Sequence, residues 1–152
     1  AAKQLSQDGV DGIKVEGFRP EVFEALAKTE IEPWAHLGFT PQLIKEPAMQ
    51  AKDSASAEKL LKECQILEAA GAVGIILELI PESVAELVAK TLEIPVIGIG
   101  AGNYCDGQVR VSADLLGLND DQPPFCKPII EGKKLLKEKL KEWVANERSN
   151  LF

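Results

Sequence analysis

The chain has 152 residues, 45% of them hydrophobic, and a formal net charge of −7, which suits a single domain with an apolar core. A pI near 4.8 excludes a nucleic-acid binder that works through clustered basic charge. No apolar stretch approaches the roughly 20 residues that span a bilayer, so no membrane partner is expected.

Cys64, Cys105 and Cys126 are odd in number, far apart and lack C-x-x-C spacing. Neither a disulfide framework nor a zinc site follows, and a reducing, cytoplasmic setting is expected. Ala1 to Gln7 reads as the end of a helix rather than a signal peptide. With no initiator Met, the chain is expected to begin partway through something larger.

In chain order, strands and helices alternate, the pattern of a parallel α/β fold. Ala1 to Ser6 closes a helix and Gly12 to Val15 forms a short strand. Pro20 suits the first turn of a helix with Val22, Phe23 and Leu26 on its apolar side. Trp34 to Phe39 is the second strand. After a breaker-rich loop containing Pro41 and Pro47, Ser54 or Ser56 is placed to cap a helix. Its stripe is Ala57, Leu60, Leu61, Cys64 and Leu67, with Gly71 as the stop. Val73 to Pro81 holds the third strand, and Pro81 opens a helix with Val84, Leu87, Val88 and Leu92 facing inward. Pro95 to Gly100 and Gln108 to Ser112 are the remaining strands. Lys133 to Asn146 is an amphipathic helix whose lysines form its solvated face. Five such strands form either a small doubly wound sheet or part of a (β/α)₈ barrel.

Glu78 is a lone carboxylate inside an apolar run ended by Pro81, the pattern of a strand buried on both faces. An unpaired buried carboxylate costs several kcal/mol, roughly, so it finds a partner or raises its pKa. A raised pKa is what a general base near neutral pH needs; a strand-end Glu turned to solvent or paired with a basic neighbour is the plain alternative. Lys14 and Glu16 share one side of their strand. His36, the single histidine, shares a face with Trp34 and Gly38, and Glu78 shares one with Ile76 and Ile80. In parallel neighbouring strands, these four polar residues meet at the C-terminal strand ends, where barrel enzymes build their sites. Taken singly, Lys14 and Glu16 read equally as a strand-end charge pair and His36 as a structural histidine. Gly98-Ile99-Gly100-Ala101-Gly102 invites a nucleotide reading. However, Asn103 stands where the third glycine of G-x-G-x-x-G belongs, and close backbone approach explains the glycines as well.

At these residues the chain resembles the ketopantoate hydroxymethyltransferase family. The matching segments include Gly12-Ile13-Lys14-Val15-Glu16-Gly17, His36-Leu37-Gly38-Phe39-Thr40-Pro41-Gln42, Leu77-Glu78-Leu79-Ile80-Pro81, the run Ile94 to Gly102, and Cys105-Asp106-Gly107-Gln108-Val109. They occur in family order along almost the whole chain. The resemblance implies a partial (β/α)₈ TIM barrel, strands four to eight, and transfer of a hydroxymethyl group from methylene tetrahydrofolate to 3-methyl-2-oxobutanoate in pantothenate biosynthesis. It also implies Mg²⁺ as cofactor, Glu78 as general base, Lys14 and His36 on the oxygens of the oxo acid, and Glu16 beside the metal through bound water.

The family's two direct metal-ligand aspartates lie on strands that would precede Ala1. The loop from Thr40 to Lys52 is shorter than in the family, and Met49-Gln50-Ala51 replaces the common Val-Gln-Gly. A whole barrel needs roughly 250 residues, so a homo-oligomer or a partner segment supplying strands is expected. Two other functions fit the same residues: a catalytically incomplete homologue serving as a binding or assembly module, and a different Mg²⁺-dependent lyase or aldolase acting on 2-oxo acids.

Overall fold

A computed structural model describes residues 2–149, which divide between Val109 and Arg110 into two compact units. The first unit runs α1 (Ala2–Gln7), β1 (Gly12–Glu16), α2 (Pro20–Leu26), β2 (Glu32–Gly38), α3 (Ser54–Ala69), β3 (Gly74–Glu78), α4 (Glu82–Thr91), β4 (Val96–Ile99) and β5 (Gly107–Gln108). The strands form one sheet in the order β1-β2-β3-β4-β5, and every neighbouring pair is parallel. This sequential order settles between the two architectures left open by the sequence. A doubly wound sheet must reverse direction at a switch point, whereas this one advances one strand at a time, as a stretch of (β/α)₈ barrel does.

Local chemistry explains the helices. Pro20 occupies the first turn of α2, where its missing N–H costs nothing. Helix α3 begins at Asp53, whose carboxylate accepts the Ser56 amide while the Ser56 hydroxyl accepts the Asp53 amide. The cap is therefore Asp53, with Ser56 as the reciprocal partner three positions on, rather than either serine as cap. At the other end, Ala72 N–H donates to the Leu67 carbonyl and Gly71 N–H to that of Glu68, the Schellman pattern. Gly71 takes the left-handed φ of 102° that this closure requires.

The core lies between one sheet face and helices α2, α3 and α4. Ala35, Leu37, Ile75, Leu77 and Val96 pack there with Phe23, Leu67 and Val88, each large side chain contributing about 1.5–3 kcal/mol by leaving water. Helix α4 presents Ala85 and Val88 inward. Leu87, expected on that face, is 50% exposed, because the inward stripe runs through Ala85, Val88 and Leu92. Ile80 also departs from expectation. It is buried in the helix-side core, not on the face of Glu78, because Leu79 turns to φ 51° and breaks the strand alternation. Strand β5 is only Gly107 and Gln108, shorter than the expected Gln108–Ser112, since Ser112 already starts a helix.

The second unit contains α5 (Ser112–Leu115), which the sequence pattern did not suggest, and α6 (Gly132–Ser149). The first amides of α6, from Gly132 and Lys133, bond the Leu116 and Gly117 carbonyls. Both faces of α6 are open within its unit: the lysines are solvated as expected, and Leu140 and Trp143 are also exposed. No helix among the described residues is long and apolar enough to cross a membrane.

Candidate active site at the strand ends

The parallel register sets the site. Glu16 at the end of β1 lies beside His36 of β2, and Gly38 at the end of β2 lies beside Glu78 of β3. Alternation places Lys14, Glu16, His36 and Glu78 on the face opposite the helix-side core. Four polar side chains from three strands thus meet at one edge of the sheet.

His36 is the centre of the cluster, with its side chain only 2% exposed. Lys14 Nζ lies 3.1 Å from Nδ1, Glu16 Oε1 lies 3.4 Å from the same nitrogen, and Glu78 Oε2 lies 3.0 Å from Nε2. An ammonium has only donors, so Nδ1 accepts from Lys14 and the ring proton sits on Nε2, toward Glu78. The longer approach of Glu16 would favour the opposite tautomer. The shorter Lys14 contact decides between them. Although Nε2 is close to Glu78, it is out of line for a hydrogen bond and is buried without a hydrogen-bond partner. A buried donor left this way costs about 1–3 kcal/mol.

The charge states follow from burial. Desolvation, then the positive charge of Lys14, lowers the His36 pKa below its ordinary value, against an opposing pull from Glu16. Desolvation raises the Glu78 pKa; nearby Glu16 adds to the rise and Lys14 offsets part of it. The cluster therefore holds a neutral imidazole and a carboxylate that binds a proton readily. That pairing can accept a proton from carbon and donate a hydrogen bond to an oxygen.

Glu16 is buried, and its Oε2 accepts the backbone amide of Gln42 at 3.0 Å. Its Oε1 faces Lys14 at 3.6 Å. Among the described residues, no three His, Cys, Asp or Glu side chains are grouped to hold a metal ion.

Sequence patterns missed the backbone contributions. The Glu78 carbonyl accepts the Phe39 amide at 2.8 Å, and the Leu79 carbonyl accepts that of Gln50 at 2.8 Å. Gly38, at φ 90°, lets β2 and β3 approach closely there. The one available signal was position 51, where the family prefers glycine: Ala51 stands at φ 52°. At the glycine run, Glu82 Oε1 accepts the Asn103 amide, and the Glu82 side chain packs against Gly102. A carboxylate occupies the turn that a phosphate would need. Cys64, Cys105 and Cys126 are all unpaired.

A parallel sheet that advances one strand at a time and gathers polar side chains at its C-terminal strand ends defines the class of a barrel-type α/β protein. The ketopantoate hydroxymethyltransferase family profile matches residues 1–152, and the chain belongs to that family. It is 53% identical over 155 aligned residues to 3-methyl-2-oxobutanoate hydroxymethyltransferase of Prochlorococcus marinus strain AS9601, covering 99% of this chain and 60% of the relative. The protein of the same description from strain MIT 9215 is 51% identical over 155 residues, covering 99% and 60%. The chain spans about 60% of the length of these curated relatives. A solved prophage protein of the dihydrodipicolinic acid synthase family from E. coli K12, in complex with pyruvate, matches with a TM-score of 0.44. Its identity is 20%, over 64% of this chain and 35% of that one, a likeness too slight to bear on the site.

Proposed function

We propose that this chain contributes the acid–base half of a 3-methyl-2-oxobutanoate hydroxymethyltransferase site. Glu78 takes the proton from the carbon beside the ketone of 3-methyl-2-oxobutanoate. Water adds to the one-carbon unit of methylene tetrahydrofolate as its C–N bonds break, releasing tetrahydrofolate and a formaldehyde equivalent; the carbanion equivalent attacks that carbon, and the new C–C bond leaves a hydroxymethyl group on ketopantoate. Nε2–H of His36 donates to a substrate oxygen, and the Lys14 ammonium places positive charge where negative charge builds. The observation that carries this reading is the unpartnered, buried Nε2 of His36 beside a carboxyl group whose pKa burial raises. Mg²⁺ belongs to the reading as a Lewis acid for the oxo acid, with Glu16 beside it through bound water. Among the described residues, strands β1 and β5 each pair on one side only, and such edges invite further strands from more chain or another copy.

The test is deuterium exchange at the carbon beside the ketone of 3-methyl-2-oxobutanoate, followed by NMR in D2O with and without Mg²⁺. Exchange by the parent chain that disappears in Glu78→Gln supports Glu78 as base. Exchange that survives intact in that variant removes Glu78 from the role. Ala51, a non-glycine residue in left-handed backbone at φ 52° within the altered Met49-Gln50-Ala51 stretch, favours a second reading, a binding or assembly module without its own chemistry. Absent exchange in the parent, together with measurable oxo-acid binding by calorimetry, would select it.

A further inference from the structure

The segment between β2 and α3 is fastened to the site at both ends. Entering, it is held by Phe39 N–H on the Glu78 carbonyl; leaving, by Gln50 N–H on the Leu79 carbonyl, each at 2.8 Å. Both are backbone bonds to the strand end that carries the candidate base. Between them, the amides of Leu43 and Ile44 close a turn on the Thr40 carbonyl. Leu43 also lies close over Gly17, where a Cβ would meet its Cδ1 at 2.9 Å. The side chain that reaches from the site into this turn's backbone is Glu16, through Gln42 N–H at 3.0 Å. Past the turn, residues 45–49 are all exposed.

We propose that Glu16 is a positioning residue that clamps the residue 40–52 segment against the site. Its two oxygens divide the work. Oε2 holds the segment's backbone, while Oε1 faces the Lys14 and His36 nitrogens. A carboxylate accepting a backbone N–H while buried gives a strong, charge-assisted bond, and its withdrawal would free the turn without touching the backbone anchors at Phe39 and Gln50. Movement of the segment is thereby coupled to the residues that would hold the oxo acid. The functional meaning of this clamp rests on the proposed oxo-acid chemistry; the clamp itself does not.

Amide hydrogen exchange on the chain tests it, with trypsin cleavage after the exposed Lys45 as a second readout. In Glu16→Ala, the Gln42 amide should exchange about 10- to 100-fold faster, and cleavage after Lys45 should accelerate. The Gln50 amide and those of β3 should keep their protection. Glu16→Gln retains an acceptor oxygen and should restore most of the Gln42 protection. Unchanged Gln42 exchange in Glu16→Ala overturns the proposal. So does an equal loss of protection at Gln50 and in β3, which would make Glu16 a general stability residue. Both readouts are independent of catalysis, so they stand or fall separately from the exchange assay on Glu78.

Discussion

Gly38 and Glu78 are register partners across β2 and β3, and a Cβ on Gly38 would overlap the Glu78 carbonyl oxygen. That carbonyl is also the acceptor for Phe39 N–H. The end of the Glu78 strand is therefore placed partly by the absence of a side chain on the neighbouring strand. Gly38→Ala should force the two strand ends apart, in a backbone already at φ 90°, where a Cβ is strained. A loss of about 2–3 kcal/mol in urea unfolding is expected. A variant as stable as the parent would show that the strands do not approach this closely.

Ala51 is the reverse case, a side chain where glycine would be easier. At φ 52° it adjoins Gln50, whose amide is anchored on Leu79, itself at φ 51°. Two non-glycine residues in left-handed backbone thus flank one hydrogen bond. Ala51→Gly relieves strain in the folded chain but gives the unfolded chain more freedom to lose. The net expectation is a gain of about 0.5–1 kcal/mol, read as a rise in the urea midpoint with unchanged slope. A lower midpoint would place Ala51 outside the left-handed region.

Those two positions also show how far the sequence could be read. Strand and helix order was legible because Val73–Pro81 is a short apolar run ended by proline, while apolar residues recur at helical spacing from Ala57 to Leu67. Lys14, Glu16, His36 and Glu78 could be grouped because residues two apart on a strand share a face. Ile80 was misplaced because a single left-handed residue, Leu79, ends the alternation, and leucine gives no sign of such a turn. The contacts of Gln42 and Gln50 with the site run through backbone amides, which no side-chain pattern reports. Leu87 was misplaced because helical periodicity alone does not choose between adjacent rows; the smaller Ala85 fits the close approach to the sheet instead.

His36, as the single histidine, gives one imidazole signal, so its ionisation can be followed without assignment. Burial and Lys14 hold its pKa below 6.5 in the folded chain. The folded state therefore binds this proton less readily than the unfolded one. Its stability contribution is complete above pH 6.5 or so and is lost as pH falls through the folded pKa. The NMR titration midpoint should lie below 6.5 in the native chain and return to about 6.5 in concentrated urea. Lys14→Met should move the native midpoint upward by removing the second cause. A native midpoint above 6.5 would mean that Glu16 outweighs burial, and the neutral imidazole would have to be abandoned.

Glu78 has the opposite sign from an ordinary paired carboxylate. Burial raises its pKa above 4.5 in the folded chain, so the folded state holds the proton more tightly than the unfolded state. The associated stability is fully present below the unfolded pKa and is lost as pH rises through the folded one. At neutral pH, the ionised group is then a cost to the fold. Glu78→Gln imitates the protonated form, and should be more stable than the parent by about 1 kcal/mol at pH 7.5. The difference should close by about pH 4, where the parent carries the proton itself. Every other ionisable group is common to both proteins, so paired urea titrations at the two pH values isolate this one carboxyl. A Gln variant less stable than the parent at pH 7.5 would show that Lys14 and His36 stabilise the carboxylate more than burial destabilises it. Glu78 would then be a structural ion-pair partner, unsuited to taking a proton from carbon near neutrality.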